Sequence, residues 1–162
     1  MSNSGSELTG EPITPKGLEE LEAEIAELEG PGRHEMAERI KSARELGDLK
    51  ENAEYHIAKD DQAHLETRIK RLRGKLRGAV VVEATAGSET FAFGTSAEVL
   101  ETASGKLHKW TLVGSTEADV AEGRISADSP VGTALRDSRV GDDVVVETPG
   151  GERLYRVQKL LG

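Results

Sequence analysis

A chain of 162 residues suffices for one ordinary domain or two small ones, and 36% hydrophobic content is low for a single compact globule. The formal net charge of -9 and a pI near 5.0 set the whole molecule against nucleic-acid phosphate, so any contact with DNA or RNA has to be local. The absence of cysteine excludes disulfides, thiolate zinc sites and thiol catalysis, and suits a reducing cytoplasm.

Residues 1–11 are small and polar and predict a disordered N-terminal arm, with neither the basic region nor the apolar run of a signal peptide. No stretch has the length needed to cross a bilayer, so the expectation is a cytoplasmic protein with no membrane partner. A first helix starts with Thr14 as N-cap and Pro15 at the first helical position. Leu18, Leu21, Ile25 and Leu28 then follow at spacings of three, four and three, a narrow seam of coiled-coil type. Gly30-Pro31-Gly32 predicts a break or bend, with the helix resuming from about Arg33 through Met36, Ile40, Ala43 and Leu46. The returning helix carries Ala58, Leu65, Ile69, Leu72 and Leu76, interrupted by polar Asp61 and Gln62. Residues 12–78 therefore read as an antiparallel hairpin with its tip at 47–52, a rod about 45 Å long at 1.5 Å per residue. Pairs within each helix, such as Glu35 with Arg39 and Glu66 with Lys70, are expected to support it.

The pattern changes at Gly78. Ala79 to Ala84, Phe91 to Glu101 and Leu107 to Val113 read as strands, with turn signals at Gly87-Ser88 and Ser104-Gly105. Ser129-Pro130 is a cap followed by a first helical position, and predicts a short helix from Val131 to Leu135. Asp142 to Thr148 and Arg153 to Leu160 predict a final hairpin around Pro149-Gly150-Gly151. Residues 79–162 are thus expected to form a second domain, and the chain as a whole an α+β fold with a mostly antiparallel sheet.

The tip carries the chemistry. Gly47 suits the left-handed position after a helix end, and Asp48 with Glu51 has the spacing of a capping box at the start of the next helix. On these residues alone, two carboxylates serving as caps are the simpler account, because spacing by itself does not make a metal site. His34, His56, His64 and His108 are scattered, with no H-E-x-x-H pattern and no phosphate-binding glycine loop in the chain. No nucleophile with its base can be assembled, so a free-standing hydrolase is not expected.

The longer string G-D-L-K-E-N-A-E-Y, Gly47 to Tyr55, resembles the tip signature of the bacterial Gre-type transcript-cleavage factors. The likeness continues through I-S-A-D-S-P at Ile125 to Pro130 and G-D-D-V-V-V-E-T-P-G-G-E at Gly141 to Glu152, and covers nearly the whole chain from Ile13. It implies an FKBP-like fold for the second domain. It also implies that the hairpin enters the secondary channel of RNA polymerase, with Asp48 and Glu51 as the catalytic, metal-binding pair that stimulates cleavage of backtracked RNA. The implied cofactor is Mg²⁺ shared with the polymerase active site and not bound by the isolated protein. One or two carboxylates are a poor magnesium site alone but a good supplement to an ion held by another protein. The chain would then be no enzyme itself, but a monomeric cofactor of the polymerase.

Arg39, Lys41, Arg44, Lys50 and Lys59 give the far half of the rod a local positive character. Arg44 and Lys59 stand where the family carries basic residues toward the RNA 3′ region, and Lys50 joins them as an expected phosphate contact. The alternative is a solvated face of ion pairs. Tyr55 either shapes the tip near the RNA end or packs against Leu46 or Leu49. The family also implies docking to the β′ rim of the polymerase through Ile125, Asp128, Ser129 and Pro130, although Ser129-Pro130 has a purely structural reading as a cap. Two other readings stand beside this one: a channel binder that modulates polymerase without promoting cleavage, and a prolyl isomerase. The latter needs an aromatic-lined pocket, for which only Phe91, Phe93, Trp110 and Tyr155 are available in the second domain.

Overall fold

The computed structural model describes residues 10–84 and 87–162. The described residues divide into two compact units, one of residues 18–78 and one that joins residues 10–17 to those from 79 onward. The expected arm at 1–11 lies almost wholly outside the described residues, except for its last two positions. Glu11 is already in a strand.

In the helical unit, α1 (Pro15–Glu27) runs into a π-helical turn, Leu28–Gly32, and on into α2 (Arg33–Arg44), and α3 (Ala53–Gly78) returns. The break expected at Gly30-Pro31-Gly32 does not occur. Proline removes one donor from the ladder, and the wider turn compensates: the Arg33 N–H reaches the Leu28 carbonyl, five residues back, and the helix continues. The seam is close to the expected one, with Leu21, Ile25, Met36, Ile40 and Ala43 buried on the outgoing arm and Ala58, Ile69 and Leu72 on the returning arm. Leu46, expected as its last member, is instead 65% exposed, because α2 has ended before it.

The expected ion pairs within each helix give way to pairs between the arms. Arg33 forms a two-pronged contact with Glu66, at 2.8 and 2.9 Å. Arg39 meets Asp61 at 3.0 Å, and Arg68 and Arg73 meet Glu24 and Glu29. A guanidinium on one arm can span a narrow seam to a carboxylate on the other, with fork geometry that an intrahelical pair lacks.

In the other unit, β1 (Glu11–Ile13) pairs in parallel with β2 (Ala79–Val81), and the Val82 N–H extends the ladder to the Ile13 carbonyl at 2.8 Å. Residues 12–17, read from sequence as the foot of the hairpin, thus belong with the sheet unit, including the first three residues of α1. The main sheet has five strands in the order β5-β4-β3-β7-β6. They are β3 (Ser96–Glu101), β4 (Lys106–Val113), β5 (Arg124–Ser126), β6 (Asp143–Thr148) and β7 (Gly151–Leu160). All neighbours are antiparallel except β4 and β5. β3 starts five residues later than its pattern suggests, since Gly94 sits at φ 82° and the Thr95 N–H turns back to the Ala92 carbonyl. β5 was not anticipated: three residues are too few for a visible alternation.

The short helix α4 (Pro130–Leu135) forms as expected and seals the core with Leu135, which is fully buried beside Phe91, Val99, Leu112, Val146 and Val157. Trp110 and Tyr155 pack with ring centroids 5.5 Å apart. Phe91, Phe93, Trp110 and Tyr155 are each at most 8% exposed, so all four aromatics of this unit fill the core and none is left to line an isomerase pocket. Among the described residues no helix is long and apolar enough to cross a membrane.

Candidate functional site

α2 ends at Arg44 and α3 begins at Ala53, leaving an eight-residue turn, 45–52. The Leu46 N–H closes the last helical turn on the Ala43 carbonyl at 3.1 Å, and Gly47 takes φ 131°, where a side chain would strain the backbone. Asp48 is not the cap of the next helix. Its Oδ1 accepts the Lys50 N–H at 2.9 Å in a local turn, and the capping box with Glu51 does not form.

The cap is Asn52, which the sequence reading passed over. Its Oδ1 accepts the Tyr55 N–H at 3.1 Å, while its Nδ2 donates to the Ala43 carbonyl at the end of α2. An amide can do both, whereas a carboxylate has no donor, which is why the helix starts at Asn52 and not at an acid. The available signal was an asparagine immediately before a run of helix formers. Asn52 thereby ties the two arms together at the tip.

Relieved of capping, Asp48 and Glu51 are exposed, and they line one shallow hollow with Leu46, Asn52 and Glu54. The structure brings the expected acidic pair together on a turn closed by one amide. Glu54 lines the same hollow, but among the described residues no group of three or more acids, histidines or cysteines is placed to hold a metal ion. Asp48 has hard oxygen donors and keeps Oδ2 outside its local hydrogen bond, and Glu51 is exposed beside it, which suits a site completed by another molecule.

The basic residues are divided. Arg44 and Lys59, together with Lys41, line a hollow on one flank of the rod. Arg44 Cζ lies 5.8 Å from the centre of the Tyr55 ring, and Lys59 Nζ donates to Gln62 Oε1 at 2.9 Å. Tyr55 is thus half-buried beneath Arg44, with its ring edge-on to His56. Lys50 belongs to the turn and does not line that hollow, and Arg39 faces the opposite flank, held by Asp61.

In the sheet unit, Ile125 is 5% exposed and belongs to the core, so it supports the segment from inside and cannot offer its side chain to a partner. Asp128 and Pro130 are exposed. Ser129 caps α4, its Oγ accepting the Gly132 N–H at 3.0 Å and donating to the Ser126 carbonyl at 2.6 Å. His34, His56 and His64 are exposed, and His108 stacks on Trp110 at 4.5 Å. Hydrogen bonding from Ser104, aided by Arg153 and His108, holds the Glu101 carboxyl below its usual range.

A helical hairpin tipped with two carboxylates and followed by an α+β sheet unit matches one family along its length. Residues 11–81 match the family profile described as "Transcription elongation factor, N-terminal", and residues 86–161 match "Transcription elongation factor, GreA/GreB, C-term". The chain belongs to the GreA/GreB transcription elongation factor family.

Within that family the wording of the tip and the modest basic content favour GreA over GreB, and the curated relatives agree. The protein named transcription elongation factor GreA of Geobacillus kaustophilus is 46% identical over 90% of this chain and 93% of its own length. That of Bacillus subtilis is 42% identical over 92% and 95%, and that of Nautilia profundicola 44% over 93% of each. A crystal structure of GreA factor homolog 1 from Thermus thermophilus is 29% identical and covers 93% of this chain and 98% of that one, at a TM-score of 0.42. Membership rests on the sequence relations.

Proposed function

We propose that the protein rescues backtracked RNA polymerase by inserting its rod into the secondary channel and stimulating cleavage of the nascent RNA. The observation that carries this reading is the placement of Asp48 and Glu51, exposed and side by side on a turn at the end of a rod and released from any capping duty.

Each part of the chain has a task in this mechanism. The rod supplies reach. Asn52 ties the arms so that the turn presents its acids from a closed loop. Asp48 and Glu51 supply oxygen ligands that complete a magnesium site begun by the polymerase. Magnesium bound there would activate the attacking water and stabilise the leaving oxygen of the RNA backbone. Arg44 and Lys59 hold the RNA 3′ region by its phosphates, without reading sequence, and Lys50 adds positive charge at the turn. Asp128 and Pro130, exposed on a segment that Ile125 and the Ser129 cap hold in place, dock on the β′ rim.

The test is cleavage of RNA in a stalled, backtracked polymerase complex at fixed Mg²⁺. RNA is expected to shorten from its 3′ side on addition of the protein, and Asp48→Ala or Glu51→Ala should lower the stimulated rate at least a hundredfold while polymerase binding is kept. Stimulation that survives both substitutions would remove the tip from the chemistry. Inhibition of elongation without cleavage would instead establish a channel blocker.

A further inference from the structure

The two flanks of the rod near its tip differ in kind. At 3.6 residues per turn, Glu35 and Glu38 fall on one side of the α2 seam formed by Met36, Ile40 and Ala43, with Leu46 of the following turn lining the same hollow, and Lys41 and Arg44 fall on the other side. On α3 the seam at Ala58 likewise separates Glu54 and Ile57 from Lys59. The basic side is the hollow assigned above to RNA. The other side is a larger hollow of about 580 Å³, floored by Ala43 and Ala58.

Leu46 and Ile57 line that second hollow at 65% and 56% exposure, on a rod whose other large aliphatic side chains are mostly gathered into the seam. Exposed apolar residues clustered within a charged rim mark interaction surfaces. The rim here is acidic, with Glu35, Glu38 and Glu54, and its one basic member, Arg39, is engaged by Asp61 at 3.0 Å. Such a surface repels phosphate, which excludes RNA and anionic lipid as occupants. Its complement is a protein segment that offers an apolar side chain flanked by lysine or arginine.

We propose that this flank is a second docking surface, occupied by a cationic, apolar-tipped segment of the polymerase channel wall; the inference rests on the channel-entry reading above. The rod would then be clasped between protein on its acidic flank and RNA on its basic flank, so the two hollows together set its rotation about its own axis. Rotation matters because it decides which way the turn presents Asp48 and Glu51.

The test uses the full chain and purified core polymerase without nucleic acid, with binding followed by fluorescence anisotropy. Leu46→Ser combined with Ile57→Ser alters only exposed positions, and retained helicity is checked by circular dichroism. The double variant should bind about tenfold more weakly, and should raise the concentration for half-maximal cleavage more than it lowers the rate at saturation. Glu35→Lys with Glu38→Lys should act in the same direction, most strongly at low salt. Cleavage by the unsubstituted chain tests the underlying reading separately. If that chain binds and stimulates cleavage while the double serine variant binds equally well, the docking flank is overturned. If sedimentation shows instead a dimer of the free protein that the same substitutions dissolve, the occupant is a second copy and the proposal fails.

Discussion

In the helical unit the buried residues run in file, Leu21, Ile25, Met36 and Ile40 along one arm and Ala58, Ile69 and Leu72 along the other, each 2–8% exposed. In the sheet unit Phe91, Val99, Leu112, Leu135 and Val157 are wholly covered, enclosed between five strands and α4. A file of side chains has neighbours on two sides at most, and its charged flanks remain in water. A layered core has neighbours all round. The sheet unit can therefore rely on packing, whereas the rod also leans on ion pairs between its arms and on the closure of its turn. That division suits the proposed function, since a thin rod sacrifices core volume for reach.

The contrast is sharpest in the core itself. Leu112→Ala, at a site with no room to collapse, is expected to cost about 3–5 kcal/mol in urea unfolding. Ile69→Ala in the seam should cost less, about 2–3 kcal/mol, because the flanking chains can close over the gap and water reaches its edge. Equal losses in the two variants would break the comparison.

Closure of the turn comes next. Asn52→Ala removes both the cap of α3 and the tie to Ala43, and should lower stability by about 1–2 kcal/mol. Asn52→Asp keeps the cap but not the donor, so it should recover helix stability measured at 222 nm more fully than it recovers stimulated cleavage.

A smaller effect follows from acid. Hydrogen bonding by the Arg33 guanidinium, reinforced by its charge, lowers the Glu66 carboxyl below its ordinary value. The pair's contribution is therefore fully present above the unfolded carboxyl value, about 4.3, and is lost as pH falls through the depressed native one. Thermal melts of the native chain and of Glu66→Gln should differ at neutral pH and converge in strong acid. Both side chains are about half exposed, so the difference should also shrink with added salt.

The smallest effect is expected at the site itself. Asp48→Ala and Glu51→Ala should shift stability by no more than about 0.5 kcal/mol, since neither carboxylate caps a helix or meets a core. A loss comparable to that of Asn52→Ala would return the acids to a structural role.

Much of the site was legible because the string from Gly47 to Tyr55 is both long and local. It marked the reversal of the chain and both acids without knowledge of any distant contact. The choice of cap was not legible, because Asp48 and Asn52 are both good N-caps by residue type, and only the approach of the Ala43 carbonyl favours the amide. Arg44 and Lys59 could be named from sequence, but their common hollow depends on the register of two helices. The family resemblance named Ile125 as a docking contact, and its burial was not legible because a short strand in parallel pairing leaves no periodic trace.

What the sequence determined by itself was whatever local chemistry controls: the helical periodicity of the rod, the turn at Gly47, the cap at Ser129 with Pro130 behind it, and the hairpin of β6 and β7. Tertiary structure decided the rest. It drew residues 11–13 into a strand beside Ala79–Val81, carried the helix past Pro31 by a π turn, and set guanidinium groups on one arm against carboxylates on the other. The π turn is settled within five residues, between the Arg33 N–H and the Leu28 carbonyl, but the strand and the ion pairs each rest on a backbone group or a charge finding its partner many residues away. Such partnerships depend on where the chain returns, and local pattern carries no record of it.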